Sequence, residues 1–434
     1  MSFYIPHTDD DVRDMLKVIG AASIDELFSV IPEALRFSGA LDIENGISEF
    51  DVLDRLETMA SKNVNAVCFA GGGAYDHDIP AAVARLAFRS EFVTAYTPYQ
   101  PEVSQGVLQA LFEFQTFVSR LFGLPIANAS LYDGATALVE AVNIAAAEKN
   151  NSRILISDGV NPNWRKVAAT YARGTGHTFD SLSLSEGVTE FDASGDAAAV
   201  VVQYPNYFGN VEDLVSARAL ADSTNSLLIV VADVVSLGLL RSPGEFGADV
   251  VIAEGQSFGT PLSFGGPYVG MMAVKEDLVR RIPGRLVGAT VDADNRRAYV
   301  TTLRTREQDI RREKAASNIC TNQTLIAVVS TIFASMLGTD GYRELATRCA
   351  DATHYLVSEL EERTSLVRMS NAAFVRECAM RTPMPGIELI DRVLEHGFLA
   401  GVAIDGGVLV AATEKRTKEE IDSFVDAVAK AEAL

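Results

Sequence analysis

The chain has 434 residues, of which 48% are hydrophobic and 22% charged, so it has the material for a large buried core and does not read as a disordered chain. Its net charge of -21 repels nucleic acid and anionic lipid surfaces alike, which excludes nonspecific attraction to either. No apolar run is long enough to read as a membrane span.

The first segment reads as an arm of short helices over residues 1–64. Thr8 precedes three aspartates suited to a helix N-terminus, and Ser23 and Glu26 have capping-box spacing. The start lacks an apolar or Arg-rich leader pattern, which gives a cytoplasmic expectation. Cys68, Cys320, Cys349 and Cys378 stand far apart without metal-ligand spacing, so reduced thiols and no metal site are expected.

Residues 65–323 then alternate apolar runs with helical periodicity. Strands are predicted over 154–157, 198–203, 227–232, 250–253 and 268–274, and helices over 106–122, 135–148, 164–172, 215–221 and 275–282. This is the pattern of an α/β, doubly wound, mostly parallel sheet. Residues 324–434 read as a smaller α+β domain, opened by an apolar helix over 324–337 and an amphipathic one over 342–362.

Local motifs divide between structure and chemistry. Gly71, Gly72 and Gly73 lack phosphate-loop spacing and read as a close-packed bend leading to His77. The segment 94–106, with Tyr96, Tyr99, Pro98 and Pro101, is stiffened by its prolines and suits presentation of side chains to another surface; a structural loop is the equal alternative. Asp133 and Thr136 open a helix whose N-terminus could hold a phosphate, but Asp133 already supplies an anion there and reads as its cap. Residues 304–323 form a basic island, read as two neighbouring helical faces that are either neutralised internally or dock an acidic group.

The run 231–270, with Asp233, Glu254 and a glycine-rich bend, resembles the core of pyridoxal-phosphate-dependent transferases of fold type I. In those enzymes the loop before the bend carries the lysine that anchors the cofactor; here it reads Gln256-Ser257, and neither has an amine. Lys275, the nearest lysine in sequence to the bend, lies beyond the following strand. Longer segments, among them AGGGAYDHDIP, TAYTPYQPEVSQGVLQALFEFQT, ANASLYDGATALVEA and REQDIRREKAASNICTNQ, resemble the glycine decarboxylase P-protein family, and within it the alpha-type subunits of the split two-chain form.

The resemblance implies a cofactor-free subunit of glycine dehydrogenase (aminomethyl-transferring). The beta-type partner would carry pyridoxal phosphate, glycine would lose CO2, and the aminomethyl group would pass to the lipoyl group of the H-protein. It also implies an α2β2 assembly in which Tyr96, Tyr99, Gln100, Glu102, Ser104 and Gln105 line the partner's site, joined by Asn318 and Thr321. No residue of this chain alone is expected to be catalytic, and Asp133, Thr136, Asp233, Gln256 and Ser257 are read as vestigial cofactor positions. Two alternatives are a self-sufficient pyridoxal phosphate enzyme with a displaced lysine and a scaffold that lines no active site.

Overall fold

The structure is a computed structural model that describes residues 6–37, 39, 41–93, 97–315 and 317–433. It divides into two compact units, one up to Val64 and one from Asn65 onward.

The first unit is a series of short helices whose starts are fixed locally. Helix Asp9–Ile19 is closed by a reciprocal pair: the Thr8 hydroxyl accepts from the Asp11 amide, and the Asp11 carboxylate accepts from the Thr8 amide. Ile24–Leu27 is capped by Ser23, and Glu49–Ala60 by Ser48.

The second unit is built on a seven-stranded sheet whose strands we number β1 (Ile126–Ala127), β2 (Arg153–Ser157), β3 (Thr178–Leu182), β4 (Ala199–Tyr204), β5 (Leu227–Ala232), β6 (Val250–Glu254) and β7 (Gly270–Val274). Their spatial order is β1-β7-β6-β5-β4-β2-β3, parallel from β6 through β3, with β7 antiparallel to both its neighbours. The central strands are apolar without alternation because helices cover both faces. In β5, Leu228 and Val230 pack with Leu108, Leu111 and Phe114 of helix Gln105–Phe122 on one side. Leu227, Ile229 and Val231 pack with Leu138, Ala141 and Ile144 of helix Gly134–Lys149 on the other. Each such fully buried side chain contributes about 1.5–3 kcal/mol of transfer free energy.

The C-terminal part forms a four-stranded antiparallel sheet, ordered Val367–Arg368, Glu377–Arg381, Gly407–Ala411, Val402–Ile404, covered by helices Gly386–Leu394 and Lys418–Glu432. The helical run Thr324–Arg363 leads into it. By length and composition that run is apolar enough to cross a membrane, but Gly338, at φ 62° and ψ -171°, breaks it into the two helices expected. The apolar part before the break is shorter than the ~20 residues a bilayer requires.

Two expectations are corrected. The helix expected over 275–282 is a single 3-10 turn, Glu276–Leu278. The basic island is not a continuous helix: among its described residues only Gln308–Arg311 is α-helical, flanked by 3-10 turns. Its cations are partly spent at home, because Arg304 pairs with Asp309 at 2.7 Å and Arg306 donates to the carbonyls of Ile282 and Gly284.

Candidate functional site

The C-terminal ends of β5 and β6, the start of helix Gly134–Lys149 and the glycine bend at Gly71–Gly73 converge on one buried place. This is where an open α/β sheet presents its crevice. The remaining cavity, lined by Tyr75, Trp164, Asp233, Glu254, Ser257 and Arg376 among others, measures about 40 Å³. A water molecule takes about 30 Å³, whereas ligand pockets run from roughly 300 Å³ upward.

Gln256 is 1% exposed, and its amide is fully engaged. Its oxygen accepts from the Tyr75 amide at 2.9 Å, and its nitrogen donates to the carbonyls of Tyr75 at 3.0 Å and Thr260 at 2.7 Å. The side chain at this loop position therefore ties it to the bend that follows the three glycines. That bend is tight: a Cβ at Gly71 would lie 2.6 Å from Glu377 and 2.8 Å from Tyr75.

Asp233 follows β5 directly. Its Oδ1 accepts from the amides of Val235 and Ser236, and its Oδ2 takes the Nε of Arg376 at 2.6 Å. Arg376 belongs to the C-terminal part, immediately before strand Glu377–Arg381. Its guanidinium is buried, lies with Cζ 3.5 Å from the Tyr75 ring centroid, and donates from Nη1 to His77 Nε2 at 2.9 Å. Both Nη atoms reach the Ser257 hydroxyl at 3.3 Å.

An arginine can only donate, so the lone pair of His77 faces it and the ring proton sits on Nδ1, toward Glu414 at 2.8 Å. Burial alone would push the Glu414 carboxyl up. Hydrogen bonds from His77, the Asp78 amide and the Cys349 thiol outweigh that and hold it below the usual carboxylate range. His77, Cys349 and Glu414 also bring three metal-ligating groups together, a cluster that sequence spacing hid. With the Arg376 cation 2.9 Å from the ring, these groups are arranged for hydrogen bonding to one another.

The helix N-terminus is likewise taken. Asp133 caps it, accepting from the Thr136 amide at 2.7 Å, and Glu254 Oε2 accepts from the Gly134 amide at 3.0 Å. Glu254 Oε1 accepts from the amides of Gln256 and Val269 as well. Burial pushes the Glu254 carboxyl up to about 8 against these donors. The Trp164 ring covers the same helix end so closely that a Cβ on Gly134 would fall 2.1 Å from it.

The second group of expected residues lies in the segment preceding helix Gln105–Phe122. Tyr96 lies outside the described residues. Tyr99 is 42% exposed; Arg285 and Arg304 flank its ring at 5.3 and 5.4 Å. Gln100, Glu102 and Asn318 are exposed, Thr321 is half-buried and Ser104 is buried. Gln105 turns inward: its amide exchanges hydrogen bonds with the backbone of Tyr299 in the hairpin Leu286–Val291/Arg297–Thr302 and donates to the Pro101 carbonyl. The Tyr99 hydroxyl lies 3.9 Å from the Cys320 sulfur, so Tyr99 and the 317–321 segment share one surface.

Arg376 escaped the sequence reading. It pairs with a residue 143 positions away, and nothing in its neighbours Val375 and Glu377 marks it.

The family model for the glycine cleavage system P-protein matches residues 2–428. A probable glycine dehydrogenase (decarboxylating) subunit 1 from Chloroherpeton thalassium is 45% identical over 437 residues, covering 98% of this chain and 99% of the relative. Its counterpart from Geobacillus thermodenitrificans is 46% identical over 438 residues, with 98% of each covered. A crystal structure of a glycine decarboxylase (P-protein) of the glycine cleavage system, in inhibitor-bound form, matches with TM-score 0.92 at 41% identity over 99% of this chain and 100% of that one. A glutamate decarboxylase from Lactobacillus brevis, at TM-score 0.67 and 12% identity over 92% of this chain and 96% of its own, shares the fold alone. The fold is thus that of type I pyridoxal-phosphate-dependent transferases. The chain belongs to the glycine cleavage system P-protein family.

Proposed function

We propose that this chain is the cofactor-free subunit of a two-chain glycine dehydrogenase (decarboxylating), which works by completing an active site held by its partner. The observation that carries the reading is Gln256: the anchoring position holds an amide with no nucleophilic nitrogen, buried and saturated by Tyr75 and Thr260. The surrounding residues do not fit pyridoxal phosphate. Asp233 is paired, the helix N-terminus holds the Asp133 and Glu254 carboxyl groups under Trp164, and the space left is about 40 Å³. No step of the reaction is therefore routed through this chain's own crevice.

What the chain supplies is a shaped surface. The exposed Tyr99, Gln100 and Glu102, with Tyr96 beside them in sequence and Asn318 and Thr321 nearby, would face the partner's site, where pyridoxal phosphate would act as the electron sink for loss of CO2 from glycine. Ser104 and Gln105 belong to the same segment. Gln105 holds it against the hairpin, which fixes where Tyr99 stands without floppy loop motion. The aminomethyl group would pass to the lipoyl group of the H-protein in an α2β2 assembly.

The test is glycine decarboxylation by the mixed two-chain enzyme carrying Tyr96→Phe and Tyr99→Phe in this chain. A fall of roughly tenfold or more, on the scale of removing positioned hydroxyls from a site, supports the placement. Unchanged turnover by a fully assembled variant enzyme would refute it and favour a scaffold that lines no site.

A further inference from the structure

We propose that Arg376 is the resident cation of the crevice, its guanidinium standing where Asp233 would otherwise meet a protonated pyridine ring. It would thereby fasten the C-terminal sheet to the large sheet without any cofactor. This rests on the reading of the chain as cofactor-free and adds the residue that enforces it.

The geometry carries the substitution contact by contact. In this class of site an acidic side chain faces the pyridinium nitrogen of the cofactor. Asp233 is oriented for that task by the Val235 and Ser236 amides on Oδ1, which leaves Oδ2 directed at the Nε of Arg376. A ring in this place needs an aromatic face to lie on, and the guanidinium plane lies on Tyr75 instead, 3.5 Å from its centroid. It also needs to approach the anchoring loop, and both Nη atoms already touch Ser257, the neighbour of Gln256. One planar, permanently charged group thus meets the acid, the aromatic face and the loop. Arginine suits this and lysine does not, because an ammonium is neither flat nor forked.

The same side chain spans the two sheets. Arg376 precedes strand Glu377–Arg381, its carbonyl accepts from Thr353, and its head sits at the end of β5. Neighbouring Glu377 adds a second tie, accepting from the Gly72 amide at 2.9 Å. The closed arrangement is held by the chain's own charges, as suits a subunit whose shape is its contribution.

It follows that restoring an amine to the loop does not restore cofactor binding. A lysine at 256 would find Asp233 occupied and a fixed cation beside it. The experiment compares the unsubstituted chain, Gln256→Lys, and Gln256→Lys with Arg376→Ala. Each is incubated with pyridoxal phosphate, read for a visible imine band, reduced with borohydride and mapped by peptide mass. The expected result is an adduct at position 256 in the double variant, well below one per chain because Asp133, Glu254 and Trp164 still cover the helix N-terminus, and only background in the single one.

A second measurement guards against a double variant that folds poorly. The melting temperature of Arg376→Ala should fall, then rise again with added ethylguanidinium but not with ethylammonium at the same concentration. Equal labelling of the single and double variants, whether high or absent, overturns the proposal, as does an Arg376→Ala protein that ethylguanidinium does not restore. Labelling of the unsubstituted chain would strike instead at the cofactor-free reading.

Discussion

Gln256→Leu isolates what the amide at the anchor position does for the fold. Leucine keeps nearly the same volume, so the cavity contribution is small and the hydrogen bonds dominate. The substitution strands two buried backbone groups, the Tyr75 N–H and the Thr260 carbonyl, while the Tyr75 carbonyl keeps the His77 amide at 3.2 Å. Each orphaned buried group costs about 1–3 kcal/mol, so the loss is about 2 kcal/mol even at the low end. Against a total of roughly 5–15 kcal/mol for a folded domain, that is a large fraction. The chain has one tryptophan, Trp164, and it lines the same cavity, so its fluorescence during urea unfolding reports directly on this place. A midpoint shift corresponding to less than about 1 kcal/mol would refute the reasoning, because it would mean that the amide is not holding the Tyr75 bend.

Two further outcomes follow from the same geometry. Gly134→Ala places a Cβ 2.1 Å from the Trp164 ring and 3.0 Å from the Glu254 amide nitrogen, so the indole must leave the helix N-terminus; circular dichroism should show a lower melting temperature, and Trp164 emission should shift to the red. Glu414 is held below its unfolded value of about 4.3, so it stabilises the fold above that unfolded value and the contribution is lost as pH falls below it. Glu414→Gln should remove about 1–3 kcal/mol of stability at neutral pH and flatten the acid limb of a stability-versus-pH curve, whereas an unchanged acid limb would contradict the pairing with His77.

The central strands were legible because burial on both faces leaves a strong mark. The runs expected over 227–232 and 250–253 correspond to β5 and β6 almost residue for residue, and both are continuous Val, Ile, Leu and Ala up to their polar ends. Strand β3 left no such mark: TFDSL sits at the sheet edge with its first four residues at least partly exposed, so polar residues are tolerated. The hairpin 286–302 was missed for a related reason, since much of it is solvated. The helix expected over 275–282 gave way because Pro283 and Gly284 follow it and the chain bends to place Arg285 beside Tyr99. At the site, the Asp133 cap and the close packing of the glycine bend were readable from local sequence, and the missing lysine from the resemblance to type I enzymes. Arg376, His77 with Glu414, and Cys349 were not, because each acts on a partner brought close only by the fold.

The central claim is that this chain completes an active site without holding pyridoxal phosphate itself. Borohydride reduction of the assembled two-chain enzyme, followed by peptide mapping of each chain, tests it most directly. The account predicts a pyridoxyl-lysine in the partner and none in this chain. A stoichiometric pyridoxyl-lysine on any lysine of this chain would contradict it.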